Sequence, residues 1–160
     1  MIAIARSDGT AWLLDARTLR PAGPAFRVSA AGNAESVAFS PDGKLLATAG
    51  DDGSVRLWSL ADPGRPRQLA SVHDSGSYVY TVVFAPDGRT LAAASTDNLT
   101  RLWDVADPAR PVLLGEPAGA PEPCRLPGAE SARPCGAGFA RVAARCHCLT
   151  ARPAAVAVGR

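Results

Sequence analysis

Four cysteines near the C-terminal end are the residues of this sequence best suited to bind a metal ion. They follow the spacing C-x10-C-x10-C-x-C, with His147 between the last two (Cys124, Cys135, Cys146 and Cys148). A structural zinc site usually takes two pairs of ligands, with about two to four residues inside each pair. Only one end is paired here, and its gap is a single residue. We therefore predict free thiols and no metal site.

A second cluster, in the middle of the chain, has the residue types of a hydrolase triad. It consists of His73, Asp74, Ser75 and Ser77. Nucleophilic catalysis needs a histidine held between a serine and an acid beside an oxyanion site, and adjacency within one polar loop does not give that geometry. The sequence also contains no P-loop, zinc-protease helix or dinucleotide-binding motif. We therefore expect no catalytic residue, no cofactor and no enzymatic activity.

The overall composition is that of a globular protein. Of the 160 residues, 47% are apolar and 20% are charged, and the formal net charge is +2. This charge is too small for nucleic-acid binding unless the basic residues cluster. No apolar segment approaches the ~18 residues of a membrane helix, and the N-terminal residues do not resemble a secretory signal. We therefore expect a cytoplasmic protein that binds neither nucleic acid nor membranes.

The chain divides into two regions of unlike composition near residue 115. Residues 1–115 contain all three tryptophans and no cysteine. Residues 116–160 contain all four cysteines and consist mainly of Ala, Pro, Arg and Gly. Compositional bias of this kind is typical of segments without a packed core. We predict a folded region at 1–115 and an irregular or disordered tail at 116–160, whose GC-rich codons also fit an out-of-frame reading.

A repeat without gaps organises the folded region. The 31 residues that start at Ser36 align with the 31 that start at Thr81, at an offset of 45 residues. A weaker copy opens the chain, where Asp8 aligns with Asp52 at an offset of 44 residues. A repeat of this length is typical of architectures that stack equal structural units.

Each copy of the repeat predicts four short antiparallel strands. Pro-Asp-Gly at 41–43 and 86–88, and Asp-Gly at 52–53, separate short apolar segments, and these residues favour tight hairpin turns. Alternation around Arg56 and Arg101 predicts third strands with one core face and one solvent face, which makes both arginines surface charges. We predict second strands at 45–49 and 91–95, and fourth strands at 67–72 and 111–115.

These motifs resemble the WD-repeat family of β-propellers. The combination of AFSPDG, an Asp-Gly turn and RLW at fixed spacing carries the resemblance, over about residues 1–115. It implies an all-β fold, a partial propeller of about two and a half blades, with a partial blade at 1–30 and blades at 31–75 and 76–115. Because a propeller closes with about four to eight blades, we expect self-association through open blade faces.

The resemblance also implies a buried network of His, Ser or Thr, Asp and Trp in each blade. The positions that carry over are Thr48, Asp52 and Trp58 in one copy, and His73, Asp97 and Trp103 in the next. Ala93 stands where the hydroxyl residue of the last copy is expected, and the preceding copy has no histidine. The implied network is therefore incomplete in both copies.

The function that the resemblance implies is a non-catalytic scaffold for protein–protein interactions. Loops at one face of the ring form the contact surface of such a scaffold, and we assign Asp51, Tyr78 and Ser95 to it. Tyr78 is the expected anchor because interface hot spots are rich in tyrosine. We expect the chain to be a fragment of a larger WD-repeat protein. The alternatives are a remnant of the propeller region of a bacterial signalling NTPase, kinase or regulator whose catalytic module lies outside this chain, or a non-functional frameshifted product.

Overall fold

The computed structural model describes residues 1–73 and 78–115, together with the backbone of Val156–Val158. The strands, numbered β1 to β12 in chain order, are Ile2–Ala5, Thr10–Leu14, Phe26–Arg27, Ala34–Phe39, Leu45–Gly50, Ser54–Ser59, Arg67–His73, Val79–Phe84, Thr90–Ser95, Thr100–Asp104, Val112–Gly115 and Val156–Val158. No helix occurs in these residues, and hence none that could cross a membrane. The four cysteines, His147, residues 74–77 and the rest of the predicted tail lie outside the described residues.

The strands form three four-stranded antiparallel sheets, which we call blades 1, 2 and 3. Blade 1 has the order β12-β1-β2-β3, blade 2 the order β4-β5-β6-β7 and blade 3 the order β8-β9-β10-β11. The first strands of the blades are neighbours, since β4 contacts β8 on one side and β12 and β1 on the other. The all-β, bladed architecture predicted from the repeat is therefore confirmed, and both predicted second strands lie within β5 and β9.

A strand from the far end of the chain completes blade 1. Strand β12 pairs with β1, so that Ile2 lies opposite Val158 and Ile4 opposite Val156. The sequence predicts only a partial blade at residues 1–30, and it assigns these three residues to the irregular tail. Pairing between the two ends of the chain leaves no local pattern in the sequence, because a three-residue apolar segment in an Ala-rich region is not specific for a strand.

Residues with positive φ close the turn between the second and third strands of each blade. The values are 78° at Gly9, 72° at Gly53 and 64° at Asn98. This left-handed region is open to glycine, and asparagine tolerates it better than most L residues. In each turn the preceding aspartate accepts a hydrogen bond from the backbone N–H two residues further on, at Thr10, Ser54 and Leu99.

Two apolar layers hold the blades together. The layer between blades 1 and 2 contains Leu13, Leu46 and Trp58, and the layer between blades 2 and 3 contains Leu57 and Leu91. The neighbours Leu57 and Trp58 enter opposite layers because successive side chains of a strand point to opposite faces. Blade 2 is therefore buried on both faces, whereas blades 1 and 3 each have one face that no other described blade covers.

Candidate functional site

Two equivalent β-bulges turn side chains outward at the start of β4 and β8. The pairing register shifts between Ala34 and Ser36 in β4, and between Val79 and Thr81 in β8. An extra residue at a bulge is unpaired, and its side chain is aimed away from the regular alternation. We call the four residues at and just before these bulges the rim surface; they are Asn33, Glu35, Tyr78 and Tyr80.

The two tyrosines are the most exposed part of the rim surface. Tyr78 is 57% exposed and Tyr80 is 52% exposed. The backbone carbonyl of Tyr78 accepts a hydrogen bond of 2.9 Å from Thr96 N, in the turn after β9. The bulge and this hydrogen bond fix the backbone that carries both rings. Large aromatic side chains on a fixed backbone can bind a partner with little further loss of conformational entropy.

The equivalent positions of blade 2 carry polar residues. The Asn33 carbonyl accepts a hydrogen bond of 3.0 Å from Asp51 N. The Asn33 N–H donates in return to the Asp51 carboxylate at 3.0 Å, and the Asn33 side-chain amide donates to Glu35 at 3.1 Å. Asp51 is half-buried and belongs to the support of the rim surface. Neither Glu35 nor Asp51 forms an ion pair within the described residues.

A buried ion pair lies in the turn between β5 and β6. Arg56 Nη2 is 2.6 Å from a carboxylate oxygen of Asp52, and the two side chains are only 12% and 8% exposed. Arg56 also donates to the Val28 carbonyl, and the Asp52 carboxylate accepts from Ala30 N at 2.6 Å. The pair thereby ties blade 2 to the loop that leaves β3. The prediction that Arg56 is a surface charge is wrong, because the side chain folds back onto this loop.

The third blade repeats the pair. Arg101 Nη1 is 2.9 Å from the Asp97 carboxylate, and their side chains are 8% and 20% exposed. The Ser95 hydroxyl donates to Asp97 and accepts from Arg101 at 3.2 Å. The surface position predicted for Arg101 is therefore wrong as well. Ser95 is 1% exposed, which corrects its assignment as a partner contact, because its hydroxyl is already bonded inside the chain.

The two aspartates of these pairs are held in the ionised form. Burial alone would raise the pKa of the Asp52 carboxyl, but hydrogen bonds from Arg56, Ser54 and the Ala30 N–H outweigh burial and lower this pKa from 3.8 to about 2. The Ser95 hydroxyl is the main reason that the pKa of Asp97 lies below its ordinary value, with the Leu99 N–H and Arg101 adding to the effect. Both carboxylates are therefore structural anions at neutral pH.

Only part of the network implied by the repeat comes together. Trp58 Nε1 donates to the Thr48 hydroxyl at 3.0 Å. His73, at the end of β7, is exposed, and the hydrogen bonds of Asp97 come from Ser95, Leu99 and Arg101. In blades 2 and 3 the turn aspartate therefore forms an ion pair with an arginine. An arginine four residues after the turn aspartate is the sequence feature that marks this arrangement.

Trp103 lacks the hydrogen bond that Trp58 makes. Its Nε1 is buried, and no described residue accepts a hydrogen bond from it. Ala93 occupies the position equivalent to Thr48, because Thr48 pairs with Arg56 just as Ala93 pairs with Arg101. An unsatisfied buried donor costs about 1–3 kcal/mol. Because Ala93 has no hydroxyl, the Trp103 N–H of blade 3 lacks the acceptor that Thr48 provides in blade 2.

Ala93→Thr is expected to be more stable than Ala93→Val by about 1–2 kcal/mol, because the added hydroxyl would accept the hydrogen bond of Trp103 Nε1. Valine is the matched control, since it has nearly the volume of threonine and no hydroxyl. Urea unfolding of both variants, followed by tryptophan fluorescence, measures the difference. Equal stability of the two variants would show that the Trp103 N–H already has an acceptor.

The structure therefore keeps one of the three predicted contact residues on the surface. Tyr78 is exposed, Asp51 is half-buried in a supporting role, and Ser95 is buried. Sequence analysis did not assign Glu35 and Tyr80 to the contact surface. These two residues occupy equivalent positions of the repeat, 45 residues apart, and the bulges in β4 and β8 explain their outward position. Within residues 1–73 and 78–115, no group of three or more His, Cys, Asp or Glu side chains is placed to hold a metal ion.

Comparisons with known proteins agree with this architecture. A family profile described as "WD domain, G-beta repeat" matches residues 28–59 and 65–104. COMPASS component SWD1 of Saccharomyces cerevisiae (strain ATCC 204508 / S288c) is 52% identical over 31 residues, which are 19% of this chain and 7% of that protein. The crystal structure of the β-propeller domain of Cps50 (Swd1) from Myceliophteria thermophila matches with a TM-score of 0.58 and 27% identity.

This chain matches only part of each of these two proteins. The structural match covers 71% of this chain and 35% of the solved β-propeller chain. The chain thus spans about a third of the length of that propeller.

Proposed function

Because residues 28–59 and 65–104 are WD40 repeats of a β-propeller, we propose that this chain is a non-catalytic scaffold that binds a partner protein through its rim surface. WD-repeat propellers are typical protein-interaction scaffolds, and one solved structure similar to this chain is a β-propeller domain. The observation that carries the proposal is the pair of exposed rings at Tyr78 and Tyr80, at 57% and 52%.

The supports of the rim surface favour a rigid binding site. Asp51 and Thr96 fix the backbone on which the rim residues stand. In the turns of blades 2 and 3, the Asp52–Arg56 and Asp97–Arg101 ion pairs neutralise their own charges. A preorganised surface loses less entropy on binding than a mobile one, so the two rings can act as anchors.

The charges on the blade 2 part of the rim surface and on its support indicate which partner segment fits. Glu35 and Asp51 are the carboxylates of this region that no described cation neutralises. Tyrosine rings attract cations over their faces, and carboxylates attract lysine and arginine. We therefore propose an extended partner segment that presents a lysine or arginine beside an apolar residue.

Tyr78→Ala is expected to weaken binding of such segments about 30-fold, the effect of losing one strong aromatic hot spot of about 2 kcal/mol. The probe is a set of 12-residue peptides selected from a random display library on the immobilised chain. Fluorescence anisotropy then compares the parent, Tyr78→Ala and Tyr80→Ala. The selected peptides are expected to be rich in lysine or arginine and to bind less tightly at high salt.

Leu19→Ala is the matched control, because Leu19 is 63% exposed and lies in the loop between β2 and β3. It is expected to bind the peptides like the parent. Peptides that bind Tyr78→Ala and Tyr80→Ala as tightly as the parent would contradict the proposal. A selection that returns no enriched peptide would contradict it too.

A further inference from the structure

Blade 2 presents two chemically different faces to its neighbours. The face toward blade 3, which we call the forward face, carries the side chains of Ala47, Ala49, Val55 and Leu57. The face toward blade 1, which we call the rear face, carries Leu46 and Trp58, with Arg56 reaching across to Val28. The contact between consecutive blades is therefore always a forward face against a rear face.

The forward face of blade 3 has nearly the same residues as that of blade 2. Adding the 45-residue offset to the four positions gives Ala92, Ala94, Thr100 and Leu102. Three of the four residues are identical, and threonine replaces valine at the other. In blade 2 these positions are buried under blade 3, with Leu57 at 2% exposure. In blade 3 all four are half-buried, and no further described blade covers them.

The rear face of blade 1 is also without a described blade against it. Subtracting the 44-residue offset from Leu46, Thr48, Arg56 and Trp58 of blade 2 gives Ile2, Ile4, Trp12 and Leu14. All four are apolar, and they are half-buried. Their alternate neighbours Ala3, Ala5, Ala11 and Leu13 point the other way, into the layer shared with blade 2. At these four positions the rear face of blade 1 is apolar, and it faces away from the other two blades.

The two open faces are complementary to each other. Within the chain the same forward-to-rear contact forms twice, between blades 1 and 2 and between blades 2 and 3. The forward face of blade 3 resembles the forward face of blade 2, which packs against the rear face of blade 3. No two forward faces pack against each other among the described blades. The contact that continues the pattern is therefore heterologous, between the two ends of different molecules.

We propose that two copies of this chain assemble head to tail into one closed six-bladed ring, with the forward face of blade 3 of each copy against the rear face of blade 1 of the other. Propellers close with about four to eight blades, and two sets of the three described blades give a number within that range. Three blades of a six-bladed ring span half a circle, so a two-fold axis closes it with two identical contacts. This inference goes beyond the proposed function, because the rim surface does not include either face.

The test measures the molar mass of the purified 160-residue chain by light scattering behind a sizing column. The parent is expected to elute at twice its chain mass of 16.4 kDa. Leu102→Glu and Ile4→Lys each place a charge on one of the two open faces, and each is expected to elute as a monomer because both contacts of the ring are then broken. Leu19→Glu is the matched control, and it is expected to stay a dimer.

Mixing the two monomeric variants gives the sharpest outcome. A ring of one Leu102→Glu copy and one Ile4→Lys copy has one unchanged contact and one contact in which glutamate faces lysine. The mixture is therefore expected to recover the dimer mass. In a contact between two copies of the same face, one of the variants would dimerise by itself and mixing would restore nothing.

Circular dichroism checks that both variants keep the β-sheet spectrum of the parent. If either does not, Thr100→Lys and Ile2→Glu replace them on the same two faces. A monomeric parent, a mixture that stays monomeric, or species that grow beyond two copies with concentration would each overturn the closed ring. A monomer that still binds the selected peptides would separate failure of this inference from failure of the proposed function.

Discussion

Trp58→Ala is expected to lower the free energy of unfolding by about 3–5 kcal/mol, the range found when a large buried aromatic side chain is truncated. Trp58 is 6% exposed and packs in the layer between blades 1 and 2. Its ring meets that of Phe26 edge to face, with a centroid distance of 4.9 Å, and its Nε1 donates to Thr48. The substitution would remove the ring contact, the hydrogen bond and the filling of the layer together. Urea unfolding followed by circular dichroism measures the loss.

Trp12→Ala provides the matched control for this prediction. Trp12 is half-buried on the rear face of blade 1, and its buried Nε1 has no hydrogen-bond partner among the described residues. We expect a smaller loss than at Trp58, because less contact is removed and no hydrogen bond is broken. Trp58→Phe is expected to lie between the two. Equal losses for Trp12→Ala and Trp58→Ala would contradict this ranking and would show that the rear-face position of Trp12 is packed as tightly as that of Trp58.

Asp52→Ala is expected to destabilise the protein by about 3–5 kcal/mol, the usual cost of leaving one partner of a buried ion pair alone. Arg56 would keep only the Val28 carbonyl as a described acceptor. The Ala30 N–H and the Ser54 hydroxyl would lose the carboxylate that they now bond. The equivalent change Asp97→Ala should cost less, because the Asp97 side chain is 20% exposed and that of Asp52 only 8%.

The double variant Asp52→Ala/Arg56→Met separates the ion pair from its surroundings. Its loss is expected to be smaller than the sum of the two single losses, since no buried charge then remains without a partner. Strictly additive losses would mean that Asp52 and Arg56 do not interact in solution.

The contribution of Asp52 to the free energy of unfolding is expected to depend on pH. Hydrogen bonds lower the pKa of Asp52 to about 2 in the folded chain, against 3.8 for an ordinary aspartate. The unfolded chain therefore takes up the proton first as the pH falls, which weakens folding. The advantage of the parent over Asp52→Ala should be complete above about pH 4 and should shrink as the pH falls toward about 2. An advantage that is constant across this range would contradict the lowered pKa.

The repeat by itself determined the bladed, all-β fold of residues 1–115. The Asp-Gly turns, the short apolar strands and the 45-residue offset are local patterns, and local patterns decide hairpins because the partners of each strand are its neighbours in sequence. The exposed position of Tyr78 and the burial of Trp58 also agree with the sequence.

Tertiary structure decided how each blade is completed and tied to the next. Strand β12 reaches β1 from the other end of the chain, and no periodicity within three residues can specify such a partner. Arg56 and Arg101 alternate like solvent-facing residues, yet an aspartate four residues earlier and a neighbouring loop carbonyl bury the guanidinium of Arg56. Charge pairing across a turn overrides the alternation of a strand, because an ion pair with enough hydrogen bonds can leave water.

The exposure of the residues assigned to the proposed binding surface also depended on the tertiary structure. The sequence assigned Asp51, Tyr78 and Ser95 alike to the contact surface. In the structure Tyr78 is exposed and the bulge at Tyr80 turns a second ring outward, whereas Ser95, in the next strand, faces inward to Asp97. Which side of a strand a residue faces depends on its pairing register, and a one-residue bulge resets that register where the sequence shows no break.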